Sequence, residues 1–136
     1  MQKWNGLYFE QVSLKSLGLR IQLGHLDGVC ILRQSAFNDD FVVLHIDGIH
    51  EVAVDYCGCQ QSLPKTVQLL RARLFPSTVI DPKTAATFHV LDTFQMLSFT
   101  SKISAYEFYQ ALARRTDNTG TSPPQVSTLV QCLTSM

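Results

Sequence analysis

The sequence predicts an α+β domain: a zinc-stabilised β-hairpin or small antiparallel sheet, followed by two packed helices. Three observations carry this expectation. Residues 41–46 and 49–55 are runs of strand-forming side chains flanking Asp47-Gly48, a dipeptide suited to a two-residue type I′ turn because both turn positions need positive φ. The second run leads directly into Cys57-Gly58-Cys59, with His25 and Cys30 upstream as further donors. Downstream, Asp81-Pro82 and the pair Ser104 and Glu107 have the form of helix starts.

Composition agrees with a single folded unit. The chain has 136 residues, of which 46% are hydrophobic and 16% charged, enough for one domain with a modest core and too apolar for disorder throughout. No apolar run approaches the roughly 20 residues of a membrane span, and Met1-Gln2-Lys3-Trp4-Asn5-Gly6 has no signal-peptide core, so a soluble intracellular protein is expected. In a reducing compartment four cysteines favour metal ligation over a disulfide framework. A formal charge of zero weighs against strong autonomous binding to nucleic acid. The charge is unevenly spread: four basic and seven acidic residues in 1–59 give −3, and seven and three in 60–116 give +4. That permits a basic face on the second half, although scattered solvated charges are the commoner explanation.

Taken in order, Ser13-Leu14-Lys15-Ser16-Leu17-Gly18 suggests a short helical turn ended by glycine. Leu19-Arg20-Ile21-Gln22-Leu23 alternates as a strand and ends at Gly24-His25. Residues 27–40 form a loop around Cys30 with no periodicity to hold it, a place where a metal ligand would help. The simplest hairpin register opposes Ile46 to Ile49, His45 to His50, Val43 to Val52 and Phe41 to Val54. Residues 67–74 are expected as a strand stopped by Pro76. Asp81 as N-cap and Pro82 at the first helical position then begin a helix whose buried face is Phe88, Val90, Leu91, Phe94 and Leu97. The second helix, from Ala105 to about Arg115, buries Tyr106, Tyr109 and Leu112 or their neighbours, and the two helices are expected to pair antiparallel. Residues 1–120 form the domain and 121–136, rich in Thr, Ser, Pro and Gln, a poorly ordered tail.

Short segments in a fixed order carry a resemblance. Trp4-Asn5-Gly6, Gln22-Leu23-Gly24-His25, Gly48-Ile49-His50-Glu51-Val52, Cys57-Gly58-Cys59 and Gln68-Leu69-Leu70-Arg71-Ala72-Arg73 resemble the CxC-type cysteine cluster domain attached to KDZ (Kyakuja-Dileera-Zisupton) transposases, of the basidiomycete-fungus type. Phe75-Pro76-x-Thr78, Thr84-Ala85-Ala86-Thr87-Phe88, Tyr106-Glu107-Phe108-Tyr109 and Thr116-Asp117-Asn118 continue it over about residues 3–120. The resemblance implies a zinc-chelating module N-terminal to an RNase H-like catalytic core, acting in the nucleus with transposon DNA or other transposase domains. The family's Cys and His positions upstream of the tryptophan and its basic stretch beyond Gly120 have no counterpart here. The resemblance thus implies a chain truncated at both ends, with a decayed, inactive fragment as the alternative.

Zinc takes four N or S donors, commonly two close pairs from separate loops. His25 with Cys30, and Cys57 with Cys59, meet that description and imply one structural Zn²⁺ ion; the alternative is an ordinary buried thiol beside a tight turn. His50 is the rival ligand, but seven extended residues put it about 23 Å from Cys57, on the strand face of Val52 and Val54. His45 and His50, opposed in the expected register, are close enough to chelate together, or are a hydrogen-bonded pair. His89 is expected at the core edge or surface and Cys132 as a free thiol. Asp81 and Glu107 serve helix starts, Asp39 and Asp40 are loop charges, and no acidic triad, nucleophile motif or phosphate loop is present, so the chain is not expected to be an enzyme or to take a small-molecule substrate. Arg71, Arg73, Lys102, Arg114 and Arg115 are the candidate contacts to nucleic-acid phosphates, the first two sharing a face if 68–74 is a strand. A protein interaction module without DNA contact is the competing function.

Overall fold

The computed structural model describes residues 2–25, 28–36, 40–117 and 133–134. The elements run β1 (Gln2–Trp4), β2 (Phe9–Gln11), β3 (Arg20–Gln22), β4 (Arg33–Ser35), β5 (Phe41–His45), β6 (Gly48–Cys57), α1 (Lys65–Arg71), β7 (Leu74–Pro76), β8 (Thr84–Thr87), α2 (Phe88–Ser101) and α3 (Ala105–Thr116). The α+β class stands, with a larger and mixed sheet at its centre. Six strands join in the order β3-β6-β5-β8-β7, with β4 also on β6; β3 is parallel to β6 and β5 parallel to β8, and the other pairs are antiparallel. β1 and β2 form a separate, fully exposed hairpin.

β6 organises the rest. Its ten residues pair with β5 in the first half and with β3 and β4 in the second, so it is covered along its length. The alternation of side chains sends Val52, Val54 and Tyr56 to one core cluster, with Phe41, Val43, Leu69 and Ala85. Ile49 goes to the other, with Leu44, Ala86 and the helical residues Val90, Leu91, Phe108, Tyr109 and Leu112. The sheet is therefore a central layer, with α2 and α3 on one face and α1 with the segment around Leu14 on the other. Leu133 is also buried in the helical cluster; apart from Leu133 and Thr134, the tail residues 121–136, Cys132 among them, lie outside the described residues, as does Asp39. Asp55, 1% exposed, ties the strands together by accepting from Arg20 of β3 and Ser35 of β4.

The helical turn over Ser13 to Gly18 forms as expected, with Leu17 N–H donating to Ser13 C=O and Gly18 at φ 87°. So does the capping box of α3, where Ser104 Oγ accepts from Glu107 N–H and Glu107 accepts from Ser104 N–H. Tyr109 and Leu112 are buried while Tyr106 is exposed. Phe94 and Phe108, with ring centroids 5.3 Å apart, join α2 to α3.

Three expectations are corrected. The hairpin pairs Phe41 with Val52, Val43 with His50 and His45 with Gly48, two residues from the expected register, and its turn is Ile46-Asp47. The end of α3 selects this arrangement: Ile49 N–H donates to Thr116 Oγ1 (2.7 Å) and Arg115 donates to Ile46 C=O (2.7 Å), satisfying backbone groups that the expected ladder would have used. Gly48 is needed as a strand residue rather than a turn residue, because a Cβ there would lie 2.8 Å from Thr116 Oγ1. His45 and His50 are consequently not an opposed pair. His45 bonds to Thr87 Oγ1 (2.8 Å) and His50 to Asp47 (2.8 Å).

Residues 65–71 are a helix instead of a strand. Pro64 stands at the N-cap position, the segment consists largely of good helix formers, and the turn buries Gln68 and Leu69 together. Arg71 therefore ends a helix while Arg73 follows it in a left-handed conformation (φ 59°), and the shared strand face does not exist. The next helix starts at Phe88, not at Pro82. Thr84–Thr87 are taken up as a strand between β5 and β7, Thr87 caps Val90 N–H, and Asp81 sits at φ 49°, outside the extended region an N-cap requires. Asp81 instead pairs with Lys65 (2.8 Å), which lies 5.3 Å over the ring of Tyr56. Val90 and Leu91 carry the buried face of α2, with Phe94 and Leu97 partly buried and Phe88 exposed.

Candidate metal centre

Three chain segments meet at the C-terminal end of β6. β3 continues through Leu23, whose N–H donates to Asp55 C=O, into Gly24 and His25. Gly24 has φ 89°, and a Cβ there would lie 2.4 Å from Cys57 Cβ, so a bare backbone is needed for this close approach. The Cys30 loop is held by Gln22 of β3, whose Oε1 accepts from Cys30 N–H (3.0 Å) and whose Nε2 donates to Gly28 C=O (3.1 Å). β4 then aligns the loop on β6, and Gly58 N–H donates to Leu32 C=O (2.8 Å). A side chain at Gly58 would meet that carbonyl oxygen at 2.6 Å, so the residue between Cys57 and Cys59 must be glycine to let the loop close.

These segments bring His25, Cys30, Cys57 and Cys59 together, with one ligand atom from each lying within 4.8 Å of all the others, and the group could hold a metal ion. Cys30 Sγ is 3.8 Å from Cys57 Sγ and 3.7 Å from Cys59 Sγ; His25 Nε2 is 3.2 Å from Cys57 Sγ and 3.6 Å from Cys59 Sγ. A tetrahedron with Zn–S of about 2.3 Å and Zn–N of about 2.0–2.1 Å has S···S edges of about 3.8 Å and S···N edges of about 3.5–3.6 Å. The donor set and spacing fit zinc. The thiols are free, and their separations are far from the roughly 2.05 Å of a disulfide.

The cluster polarises its own thiols. Cys57 is pulled down to about 7, first by the backbone N–H of Cys59 and, against the effect of burial, by hydrogen bonds from the thiols of Cys59 and Cys30 and from His25. Cys59 is pushed up to about 11, chiefly by its hydrogen bonds with Cys57 and Cys30. Of Cys57 and Cys59, Cys57 is thus the more readily ionised.

Gln68 is the supporting residue that sequence reasoning missed. Buried at 3% exposure on α1, it accepts from Cys57 N–H (2.8 Å) and donates to the carbonyls of Cys57 (3.2 Å) and Leu63 (2.7 Å). Its amide stands in for a neighbouring strand at the residue where the ligand begins. No local signal marks it, because the contact exists only once α1 has packed beside β6. The centre opens on a cleft of about 840 Å³ whose wall includes His25, Cys57, Cys59 and Arg71.

His50 stays on the face of Val52 and lines a different hollow, so it does not join the four donors. His89 is exposed and meets the His45 ring edge-on at 5.7 Å. Of the candidate phosphate contacts, Arg71, Arg73, Lys102 and Arg114 are exposed, while Arg115 spends one donor on the hairpin turn.

The site and fold define a small α+β domain closed at one end by a Cys₃His cluster able to take a tetrahedral metal ion. The family described as CxC2 like cysteine cluster associated with KDZ transposases matches residues 14–120, most of the chain, and the protein belongs to that family. The match is to the accessory cysteine cluster, not to the catalytic domain of those transposases. No curated protein and no solved structure matches the chain. Among the described residues, no helix is long and apolar enough to cross a membrane.

Proposed function

We propose that the chain is a non-catalytic module that binds one structural zinc ion through His25, Cys30, Cys57 and Cys59, and that it serves a KDZ-type transposase by contacting transposon DNA. The observation that carries the zinc reading is the convergence of three thiols and an imidazole, with separations of 3.6, 3.7 and 3.8 Å on the edges of a zinc tetrahedron and one S···N separation, 3.2 Å, somewhat shorter. All four positions are filled by protein, leaving none open for water, so the ion's role is to hold three segments together. Three thiolates and a neutral imidazole around Zn²⁺ leave a net charge of −1, and Arg71 in the same cleft wall offers a cation beside it. Arg71, Arg73, Lys102 and Arg114 are free to meet phosphates at the surface.

Metal analysis of the purified chain tests the first step. The wild type is expected to carry one zinc per chain and Cys57→Ser to lose it; a folded, zinc-free wild type overturns the reading. DNA binding that falls steeply with salt and weakens in Arg71→Ala and Arg73→Ala tests the second. A second reading, a protein interaction module for other transposase domains, is favoured by the zero net charge and by α2, which exposes Phe88, Met96 and Phe99. It predicts that the arginine substitutions leave DNA retention unchanged while a change such as Phe99→Ser weakens association with the transposase.

A further inference from the structure

β6 carries the metal donors at one end and a separate hollow near the other, about 23 Å away if the seven residues from His50 to Cys57 are fully extended. The hollow encloses about 580 Å³ between the sheet and the segment that crosses it before β3. Its walls are Leu14 and Leu19 from that segment and Ile21, Val43, Val52 and Leu74 from the sheet. All are aliphatic. Along these walls a nucleobase or another flat ring would find no aromatic surface, the imidazoles of His45 and His50 standing at the polar end, whereas a flexible alkyl chain or an aliphatic side chain would match them.

One end of the hollow is polar, and its groups are held in place. His45 is fixed by Thr87, His50 by Asp47, and the Arg115 guanidinium by Ile46 C=O. Each of these bonds uses only part of the capacity of its cationic or imidazole partner: an arginine has five N–H donors and an imidazole a second ring nitrogen. Thr116 Oγ1 accepts from Ile49 N–H and donates to Leu112 C=O. Asp47, the one carboxylate, accepts from His50 through Oδ1 and stands largely in solvent, with 63% of its side chain exposed. The remaining Arg115 donors suit a ligand with hydrogen-bond acceptors at one end and aliphatic carbon along the rest. The volume falls within the roughly 300–1,000 Å³ of ligand pockets.

We propose that this hollow binds an aliphatic carboxylate, with the head group at His45, His50 and Arg115 and the alkyl portion between Leu19, Ile21 and Val52. A free fatty acid and the C-terminal residue of a peptide ending in leucine present the same chemistry. The site is a ligand site with no reaction assigned to it, and it does not depend on the metal centre.

The test is amide NMR of the full, metal-loaded chain titrated with decanoate, decanol, and a hexapeptide ending in leucine with either a free or an amidated C-terminus. Decanoate, the free-carboxylate peptide or both should shift the resonances of Val43, Val52 and Leu19. Decanol and the amidated peptide should bind at least ten-fold more weakly. Binding of the peptide without decanoate identifies a chain terminus as the occupant, and the reverse identifies a small amphiphile. Leu19→Trp, a half-exposed position where added bulk fills the hollow without entering the core, should abolish the shifts, and His50→Gln with Arg115→Gln should weaken binding at least ten-fold. Absence of binding by both carboxylates at millimolar concentration, equal binding of decanol, or shifts confined to β1–β2 or the outer side of α2 would overturn the proposal.

Discussion

Replacing Gln68 with leucine keeps the side-chain volume near constant and deletes three hydrogen bonds at the root of the metal centre. Gln68 accepts from Cys57 N–H at 2.8 Å and donates to Cys57 C=O at 3.2 Å and Leu63 C=O at 2.7 Å, and its side chain is buried. Each bond contributes a net of about 0.5–1.5 kcal/mol, and a buried backbone group left without a partner costs about 1–3 kcal/mol. These figures describe the same loss from two sides and are not added. With water able to reach the Leu63 carbonyl, a loss of about 2–4 kcal/mol is expected for Gln68→Leu. That is roughly a thirty- to thousand-fold fall in the ratio of folded to unfolded protein, at about 1.4 kcal/mol per factor of ten. Urea unfolding of the metal-loaded chain reads the stability, and competition with a chromophoric chelator reads metal affinity, which should fall because Cys57 Sγ is positioned by the strand end that Gln68 holds. A change below about 1 kcal/mol with unaltered metal affinity would refute the idea that the amide acts as a surrogate strand.

Gly24→Ala places a Cβ 2.4 Å from Cys57 Cβ at φ 89°; it should cost about 2–4 kcal/mol in unfolding experiments and at least ten-fold in metal affinity, since the overlap moves a ligand-bearing backbone. Metal affinity should rise with pH, because binding as three thiolates displaces thiol protons: between pH 7 and 8 Cys59 is among the groups still holding one, and below about 7 Cys57 joins them. Chelator competition should therefore show a steeper fall from pH 7 to 6 than from 8 to 7, and a pH-independent affinity would contradict ligation by these thiols. Lys102, at φ 51° where α2 ends, is a left-handed position occupied by a side chain; Lys102→Gly should raise stability by about 0.5–1 kcal/mol, seen as a higher midpoint of thermal unfolding.

What could be read from the sequence was what is decided locally. The capping box of α3 is a reciprocal pair of hydrogen bonds within four residues, and Ser104 and Glu107 announce it without help from the rest of the fold. The four donors could be named because thiol and imidazole chemistry narrows the choice even when the geometry is unknown. The start of α2 could not be read, because Thr84–Thr87 are taken up as a strand between β7 and the sequence-distant β5 instead of as a first helical turn, and Asp81 is drawn away to Lys65. Gln68 and Gln22 were silent for the same reason: an amide that supports a metal loop looks like any other glutamine until the segment it bonds to has arrived.

The hairpin shows why an error of register left the grouping of His25, Cys30, Cys57 and Cys59 apart from His50 unchanged. Side chains alternate with a period of two, so a slip of two residues changes partners without changing faces. Moving the partner of Val43 from Val52 to His50 removed the opposed His45 and His50 pair, yet kept His50 on the side of Val52. Only a slip of one residue would have turned His50 toward the other face. The separation between the four-donor cluster and the histidines near the turn thus rests on parity and strand length, and both are properties that the spacing from His50 to Cys57 imposes whatever the partner strand does.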